Sequence, residues 1–434
     1  MNQKLIDNEA FCVLPWVHLH ISTNGDMNAC CVATKPFGNI NSTSLREVWN
    51  GKEINDFRQK LYSNIKDKRC SYCYLKEASG GSSLRQISNK NYAHHFLSIT
   101  AIMDVSNDDT ELKLPVYWDI RFSNVCNFRC RTCYHGASSR WFEEALKLGE
   151  TKSSKPIIRA IDNVENFFDQ LEDSIDDIEE IYFAGGEPLL MDEHYRILEI
   201  LHHKKSFDKY LRYNTNFSTF VYKEINVLNI WNKFKKVEVC ASLDGSGSRG
   251  EYLRKGQNWA EVLSNRALMK ETAPNVDFSV AVTVSALNIF HIPDFHKELL
   301  AMDFISFENF DIGNILQRPE YYSIQILPYK FKLKIKEKFE KHIEWINSQL
   351  DKNTNNNITE QFKNCINYLF ADDLSHHIPS FIARCETLDE LRNEKTAAIF
   401  PELKFLFSRP FLLWQKIKKR KRQVQKLIFT RFQR

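Results

Sequence analysis

The chain has 434 residues, of which 43% are hydrophobic and 26% charged, a globular composition that excludes disordered and collagen-like classes. Its first residues, MNQKLIDNEAFCVLPW, lack a basic region followed by an apolar core, and no window of about 18 apolar residues occurs. The sequence therefore predicts no signal peptide and no transmembrane helix, and we expect a cytoplasmic protein.

Charge is unevenly distributed along the chain. Residues 403–434 contain eleven Lys and Arg and no Asp or Glu, so subtracting eleven from the net +4 leaves −7 for residues 1–402. Three interpretations of this tail stand: a helix on an anionic membrane surface, a solvated or partner-binding end, or, least favoured, a non-specific nucleic-acid contact.

The N-terminal elements are short. Residues 1–80 are irregular, with a strand-like VHLHIS and a helix-like SLREVWNGKEINDFRQKLY. Gly80-Gly81-Ser82-Ser83 is typical of a flexible joint, and residues 84–114 show no clear pattern.

From about residue 115, short apolar runs alternate with longer amphipathic ones, which predicts βαβ units with a parallel sheet. The six predicted strands are 116–122, 180–186, 210–216, 236–243, 276–284 and 305–312. Six units fit an α/β fold with a partial (β/α)6 barrel, whose active residues lie at the carboxyl ends of the strands. Residues 329–350 are predicted to form a helix with Ile335, Phe339, Ile343, Ile346 and Leu350 on one stripe.

These patterns predict five segments. They are an N-terminal module (1–83), a connecting segment (84–114), a barrel core (115–326), a helical extension (327–402) and the basic amphipathic tail (403–434).

Three cysteines, Cys126, Cys130 and Cys133, follow the first barrel strand with the spacing C-x3-C-x2-C. Clustered cytosolic thiols indicate metal binding, because this compartment disfavours disulfides. A structural zinc ion needs four ligands, whereas three cysteines on a four-iron cluster leave one iron open to another molecule. A zinc loop that borrows a fourth cysteine is the alternative.

Later strand ends carry further motifs: YFAGGEPLL, CASLDGSGS, EYLRKG and TVSALNI. Together with CxxxCxxC, their order resembles the radical S-adenosylmethionine (SAM) superfamily. The resemblance implies a [4Fe–4S] cluster whose open iron binds the amino and carboxylate groups of SAM, with flavodoxin or ferredoxin as electron donor. It also implies reductive cleavage of SAM to a 5′-deoxyadenosyl radical that abstracts hydrogen from a substrate.

The same resemblance assigns residues to SAM. The GGEP motif, Gly185, Gly186, Glu187 and Pro188, would bind the ammonium group. Ser242 and Asp244 would hold the ribose or the carboxylate, and Arg254 the carboxylate. Asn288 also follows the family pattern. Many members carry an aromatic residue where this chain has Thr132, so Phe128 or Tyr134 would pack on adenine instead.

The N-terminal segment resembles the SPASM/twitch region of radical SAM maturases, placed before the barrel as in N-terminal-twitch members. Its motifs are CVLPW, KPFGNINSTSLREVW and CSYC. Cys12, Cys30, Cys70 and Cys73 would hold an auxiliary iron–sulfur cluster, with Cys31 competing with Cys30. A structural zinc site with the same four thiolates is the alternative.

Other polar residues lie near predicted strand ends. Asp119 and Arg121 either contact substrate or pair with each other, and Asn214 and Asn216 either contact substrate or serve a turn. Cys240 is interpreted as an inert buried thiol, with hydrogen donation to a substrate radical as the alternative.

The sequence leaves the substrate open. A peptide or protein is the first interpretation, a carbohydrate or lipid-linked glycan the second, and a non-catalytic metal-binding scaffold the third.

Overall fold

The computed structural model describes residues 3–78, 80–104, 112–350, 357–408 and 411. The chain folds as two compact units. The first unit comprises Met1–Ser242 and Gly256–Val280, and the second comprises Leu243–Lys255 and Ala281–Arg434, each within the described residues.

The strands are β1 (His18–Ile21), β2 (Asp26–Asn28), β3 (Gly38–Asn39), β4 (Tyr117–Ile120), β5 (Arg129–Cys130), β6 (Glu180–Phe183), β7 (Tyr210–Thr215), β8 (Val221–Tyr222), β9 (Ile225–Asn226), β10 (Lys236–Ser242), β11 (Arg254–Lys255), β12 (Asp277–Val284) and β13 (Phe310–Ile315).

The α-helices are α1 (Gln3–Ile6), α2 (Leu14–Val17), α3 (Leu45–Trp49), α4 (Lys52–Tyr62), α5 (Ser71–Ala78), α6 (Leu84–Asn91), α7 (Phe96–Asp104), α8 (Phe142–Lys147), α9 (Val164–Ser174), α10 (Asp192–His203), α11 (Val227–Trp231), α12 (Gly247–Leu253), α13 (Trp259–Thr272), α14 (Ile292–Ala301), α15 (Tyr329–Gln349), α16 (Asn357–Ala371), α17 (Ile378–Arg392) and α18 (Thr396–Ile399). The 3-10 turns are Lys68–Cys70, Ala93–His95, Ser139–Trp141, Pro188–Leu190, Phe307–Asn309, Glu320–Tyr322, Ile324–Ile326, Ser375–His377 and Pro401–Phe407.

A large sheet organises the first unit, in the order β12-β10-β7-β6-β4-β1-β2-β3. The pairs β1–β4, β4–β6, β6–β7 and β7–β10 are parallel, and β2 and β3 join at the edge as antiparallel strands. Along β7 and β10, buried residues alternate with partly exposed ones, because successive side chains point to opposite faces. In the second unit, β13 lies beside the end of β12.

The predicted α/β fold with a parallel sheet is confirmed, and its six strands are consistent with the predicted partial barrel. The last strand starts at Phe310 instead of residue 305, because residues 307–309 form a 3-10 turn. The predicted helix 329–350 is observed as α15, with Ile335, Phe339 and Ile346 fully buried.

One strand of the N-terminal segment was not expected in this sheet. β1 pairs in parallel with β4, the first barrel strand, so that His20 lies opposite Asp119. The predicted flexible joint is wrong at Ser83, which is fully buried and forms a capping box with Gln86 at the start of α6. Residues of α6 and α7 pack into the same apolar core as Phe11 and Trp16, so part of the connecting segment belongs with the N-terminal module.

None of the helices within the described ranges combines the length and the apolar character needed to cross a bilayer. The basic tail after Phe411 lies outside the described residues.

Candidate active site and auxiliary cysteine site

The three-cysteine loop follows β4 and is held by its own backbone and by neighbouring side chains. Cys133 N donates to the Cys130 carbonyl at 3.0 Å, and the Trp141 indole N–H donates to the same oxygen at 2.9 Å. Burial, Glu187 and Cys130 raise the pKa of Cys126 to about 12. Crowded thiols of this kind become favourable ligands once a metal cation replaces their protons.

The GGEP loop at the end of β6 lies directly against the cysteine loop. Glu187 N donates to the Val125 carbonyl at 2.7 Å. Gly186 has φ +54°, and a Cβ at this position would lie 2.3 Å from the same carbonyl oxygen. Only glycine permits so close an approach of the two backbones. The sequence-predicted GGEP and CxxxCxxC motifs are therefore brought together.

Glu187 joins these two loops to the end of β7. Its side chain is 1% exposed and accepts hydrogen bonds from Asn216 N (2.6 Å), Thr215 Oγ1 (2.7 Å) and Leu189 N (3.2 Å). Through these hydrogen bonds, Glu187 links the end of β6 to the end of β7. Its contact with the SAM ammonium group stays a prediction.

Asn216 is a site residue for which the sequence left open a substrate contact or an ordinary turn. Its Nδ2 lies 3.9 Å from Cys126 Sγ and donates to Asn127 Oδ1 at 2.7 Å. The N–H group therefore faces a cysteine sulfur. No spacing in the sequence links Asn216 to Asn127, so only the fold reveals the contact.

The predicted SAM residues of the second unit form a hydrogen-bonded set. Arg254 meets Asp244 at two points, with Nη2–Oδ1 at 3.0 Å and Nε–Oδ2 at 2.9 Å. Thr283 N donates to Asp244 Oδ1 at 2.8 Å, and Asn288 Nδ2 donates to the Asp244 carbonyl at 3.1 Å. The guanidinium thus already holds a carboxylate of its own chain.

The remaining predicted residues differ in exposure. Ser242 ends β10 and is half-buried, whereas Phe128 is buried beneath Gly256, where a Cβ would come within 2.8 Å of its ring. Tyr134 is exposed. Of the two aromatic residues predicted to pack on adenine, Tyr134 is therefore the more accessible.

The N-terminal cysteines form a second group. Burial and the thiols of Cys70 and Cys73 raise the pKa of Cys12, and burial with Cys73 raises the pKa of Cys70 to about 12. Burial, the adjacent Cys31 and Cys12 likewise raise the pKa of Cys30. Each of the four predicted thiols therefore lies within electrostatic reach of others in the set.

Cys31 has different neighbours. Loss of solvation and the carboxylate of Asp119 raise its pKa to about 11, while Arg121 opposes that shift. The side chain of Cys31 is thus influenced first by a charged pair on β4. Cys31 also lies within electrostatic reach of Cys73, so Cys30 as the fourth ligand, with Cys31 competing, stays a prediction.

The sequence comparisons match both cysteine groups. The radical SAM superfamily profile matches residues 120–284, and an iron–sulfur cluster-binding domain of the SPASM type matches residues 12–74. Residues 120–284 are therefore a radical SAM domain. The two matched domains imply a [4Fe–4S] cluster with SAM and an auxiliary iron–sulfur cluster.

Solved structures similar to this chain include anSMEcpe with bound AdoMet and a Cp18Cys peptide, at 18% identity and a TM-score of 0.36. That match covers 52% of this chain and 60% of the other. Streptococcus suis SuiB bound to its precursor peptide SuiA matches at 15% identity and a TM-score of 0.31, covering 56% of this chain and 53% of SuiB. The protein thus spans only about three fifths or less of these chains, and no curated protein sequence matches it significantly.

Both matched domains belong to iron–sulfur families. This finding favours clusters over the alternative of a zinc ion at either cysteine group.

A clasp from α6 holds the loop that carries Cys12. Arg85 donates to the Phe11 carbonyl at 2.8 Å, and Asn89 both donates to that carbonyl (3.0 Å) and accepts from Val13 N (2.8 Å). Arg85 is 8% exposed and meets both oxygens of Glu77 at 2.7 and 2.9 Å. This clasp lies outside the matched 12–74 region, and backbone-directed contacts of this kind leave no sequence signature.

A buried ion pair lies on the face of the sheet whose β7 and β10 side chains are partly exposed. Arg121 Nε donates to Asp119 Oδ1 at 2.6 Å, and His20 Nδ1 lies 3.0 Å from Asp119 Oδ2. Burial opposes ionisation of Asp119, yet Arg121 and His20 hold its pKa below the usual range. The Arg121 guanidinium also lies 4.9 Å from the Tyr182 ring centre. Of the two predicted roles for Asp119 and Arg121, pairing is observed.

Proposed function

We propose that this protein cleaves SAM reductively at a cluster held by Cys126, Cys130 and Cys133, and uses the resulting radical to abstract hydrogen from a substrate. The observation that carries the proposal is the contact between the three-cysteine loop, the GGEP loop and the end of β7. When bound, the reduced cluster would give one electron to SAM, and SAM would divide at a carbon–sulfur bond into methionine and a 5′-deoxyadenosyl radical.

The protein's own residues position and shield this chemistry. Glu187 braces the cysteine loop against β7, and Gly186 lets the two backbones meet without a side chain between them. Asn216 directs an N–H group toward Cys126, and hydrogen bonds to cluster sulfurs tune reduction potentials. The cysteine loop contributes only three cysteines, which would leave one iron of the cluster without a protein ligand. We assign that open iron to SAM.

Spectroscopy of anaerobically purified protein tests this assignment. We expect SAM to change the electron paramagnetic resonance (EPR) spectrum of the dithionite-reduced protein. A Cys126→Ala/Cys130→Ala/Cys133→Ala variant should lose that response and keep an auxiliary signal. An unchanged spectrum after SAM addition to fully loaded protein would contradict the proposal.

For the substrate, we infer a peptide or protein, because SPASM/twitch relatives that the sequence resembles include peptide and protein maturases. Turnover of labelled SAM in the presence of candidate precursor peptides tests this inference. Only a true substrate should accelerate the formation of 5′-deoxyadenosine and should itself change in mass.

A lipid-linked glycan is the second candidate. The basic, apolar-rich tail of residues 403–434 favours it, because such a segment suits an anionic membrane where that substrate resides. Turnover with detergent-solubilised glycolipid fractions distinguishes the two classes. We further propose flavodoxin or ferredoxin as the electron donor, which a reconstituted reducing system in place of dithionite tests.

A further inference from the structure

Two histidines and one glutamate form a group at the end of the sheet where the parallel strands begin. Within the described residues, His94, His95 and Glu179 are the one set of three His, Cys, Asp or Glu whose ligand atoms all lie within 4.8 Å of one another. Glu179 directly precedes β6, whereas the GGEP motif follows the end of that strand. About 13 Å of strand separates the two, so this group is distinct from the proposed SAM site.

Both imidazoles of the group face the same carboxylate. His94 Nε2 lies 3.1 Å from Glu179 Oε2, and His95 Nε2 lies 3.0 Å from Glu179 Oε1. Bonds of about 2.1 Å from one zinc ion to two ligand atoms place those atoms about 3.0 Å apart at right angles and about 3.4 Å apart in a tetrahedron. The two histidines are therefore as close to the carboxylate as ligands of one ion must be.

Hydrogen bonding alone does not account for this arrangement. His95 Nε2 is buried and has no hydrogen bond within the described part of the chain, although a Glu179 oxygen is only 3.0 Å away. In that part of the chain, Glu179 forms ion pairs with the two histidines and with no lysine or arginine. A buried polar atom without a partner costs about 1–3 kcal/mol, and a cation shared by the three side chains removes that cost.

A second pair of adjacent histidines shows that the sequence His-His beside a glutamate is not sufficient. The rings of His376 and His377 lie 4.1 Å apart, and those of the first pair lie 4.2 Å apart. His377 Nε2 also lies 2.9 Å from Glu320 Oε2. These three side chains nevertheless do not bring three ligand atoms within 4.8 Å of one another. The convergence on Glu179 is therefore a property of the fold around the first pair.

The fold holds both sides of the group in place. Tyr92, which follows α6 and precedes the two histidines, is buried and donates a hydrogen bond to the carboxylate of Glu180 in β6. Glu179 N donates to the Val116 carbonyl at 2.7 Å, and Tyr210 N donates to the Glu179 carbonyl at 2.9 Å. Side chains carried by such fixed backbone bind a metal ion with little rearrangement.

We propose that His94, His95 and Glu179 bind one divalent transition-metal ion of the zinc class. Two imidazole nitrogens and a carboxylate suit such an ion, and three protein ligands leave a position for water. The ion joins the 3-10 turn Ala93–His95 to the start of β6. That turn follows α6, the helix whose side chains hold the Cys12 loop, so the bound ion also steadies this clasp.

Zinc titration of the full chain tests the proposal, with both iron–sulfur clusters loaded so that their cysteines are occupied. Isothermal titration calorimetry should show one zinc site in the wild type. His94→Gln, His95→Gln and Glu179→Gln should each weaken it at least about tenfold, the lower limit for losing a residue that merely supports a ligand. X-ray absorption at the zinc edge should show nitrogen or oxygen neighbours at about 2.0–2.1 Å and no sulfur at about 2.3 Å. Zinc should also slow hydrogen exchange of residues 84–95 in the wild type and not in Glu179→Gln.

His376→Gln and His377→Gln are the matched controls, because they alter the second histidine pair and should bind zinc like the wild type. Thermal unfolding without metal checks that every variant folds, and His94 is the mildest site to change because its side chain is 57% exposed. A wild type that binds no zinc would leave only two His–Glu ion pairs and overturn the proposal. Undiminished binding by Glu179→Gln, or sulfur neighbours in the absorption spectrum, would assign the zinc to cysteines and overturn it as well. Zinc binding without slower exchange of residues 84–95 would overturn the effect on the clasp.

Discussion

Replacing Gly186 by alanine is predicted to displace the three-cysteine loop. The added Cβ would lie 2.3 Å from the Val125 carbonyl, whereas real Cβ contacts essentially never fall below 3.0 Å. The loop must therefore retreat by at least about 0.7 Å, while metal–ligand distances in proteins vary by only about 0.2 Å. We expect Gly186→Ala to lose about four irons per chain, those of the SAM-binding cluster, and to retain the auxiliary iron.

Two other glycines separate this clash from simple backbone strain. Gly149 has φ +67° and nothing within 4 Å of its added Cβ, so Gly149→Ala costs about 1–2 kcal/mol of strain without any displacement. Gly185→Ala would press on the Arg121 side chain at 2.7 Å, which can partly move away. Iron loss should therefore rank Gly186→Ala above Gly185→Ala above Gly149→Ala.

Iron and sulfide analysis of anaerobically purified protein, with Mössbauer spectra, measures this ranking. Full iron content in Gly186→Ala, or equal losses in Gly186→Ala and Gly149→Ala, would refute the packing argument.

The other predictions concern the auxiliary site and the buried ion pair. Arg85→Gln should lower the auxiliary cluster's midpoint potential by tens of millivolts, because a buried cation stabilises the reduced state; Lys90→Gln, exposed on the same helix, should leave an EPR-monitored titration unchanged. Cys30→Ser should lose auxiliary iron whereas Cys31→Ser should keep it, and equal losses would contradict the ligand assignment. Asp119→Asn should destabilise folding by about 3–5 kcal/mol at pH 7 in denaturant titrations, because two partners lose their carboxylate. The pKa of Asp119 is lower folded than unfolded, so this difference should be full above about pH 4 and shrink as pH falls toward the folded value; a pH-independent difference would contradict it.

The motifs of the candidate active site could be predicted from the sequence because each follows a short apolar run. Parallel strands align their carboxyl ends, so CxxxCxxC after β4 and GGEP after β6 had to meet at one edge of the sheet. The helix α15 was likewise evident from its buried stripe of Ile335, Phe339 and Ile346.

Contacts between segments that are distant in the sequence could not be predicted. The pairing of β1 with β4 joins residues about a hundred positions apart, and the four residues of β1 are all buried, so no alternation marked their register. The His20–Asp119 contact follows from that pairing. Arg85 and Asn89 form hydrogen bonds to backbone atoms, which any loop sequence offers. Their role could therefore be seen only in the fold.

Formation of 5′-deoxyadenosine tests the central claim most directly. Anaerobically reconstituted protein, dithionite and SAM are incubated together, and the product is quantified by liquid chromatography and mass spectrometry. We predict 5′-deoxyadenosine and methionine in equal amounts for the wild type, and none for the variant with Cys126, Cys130 and Cys133 replaced by alanine. A wild-type protein with its SAM-site cluster intact by Mössbauer spectroscopy that yields no 5′-deoxyadenosine would contradict the account.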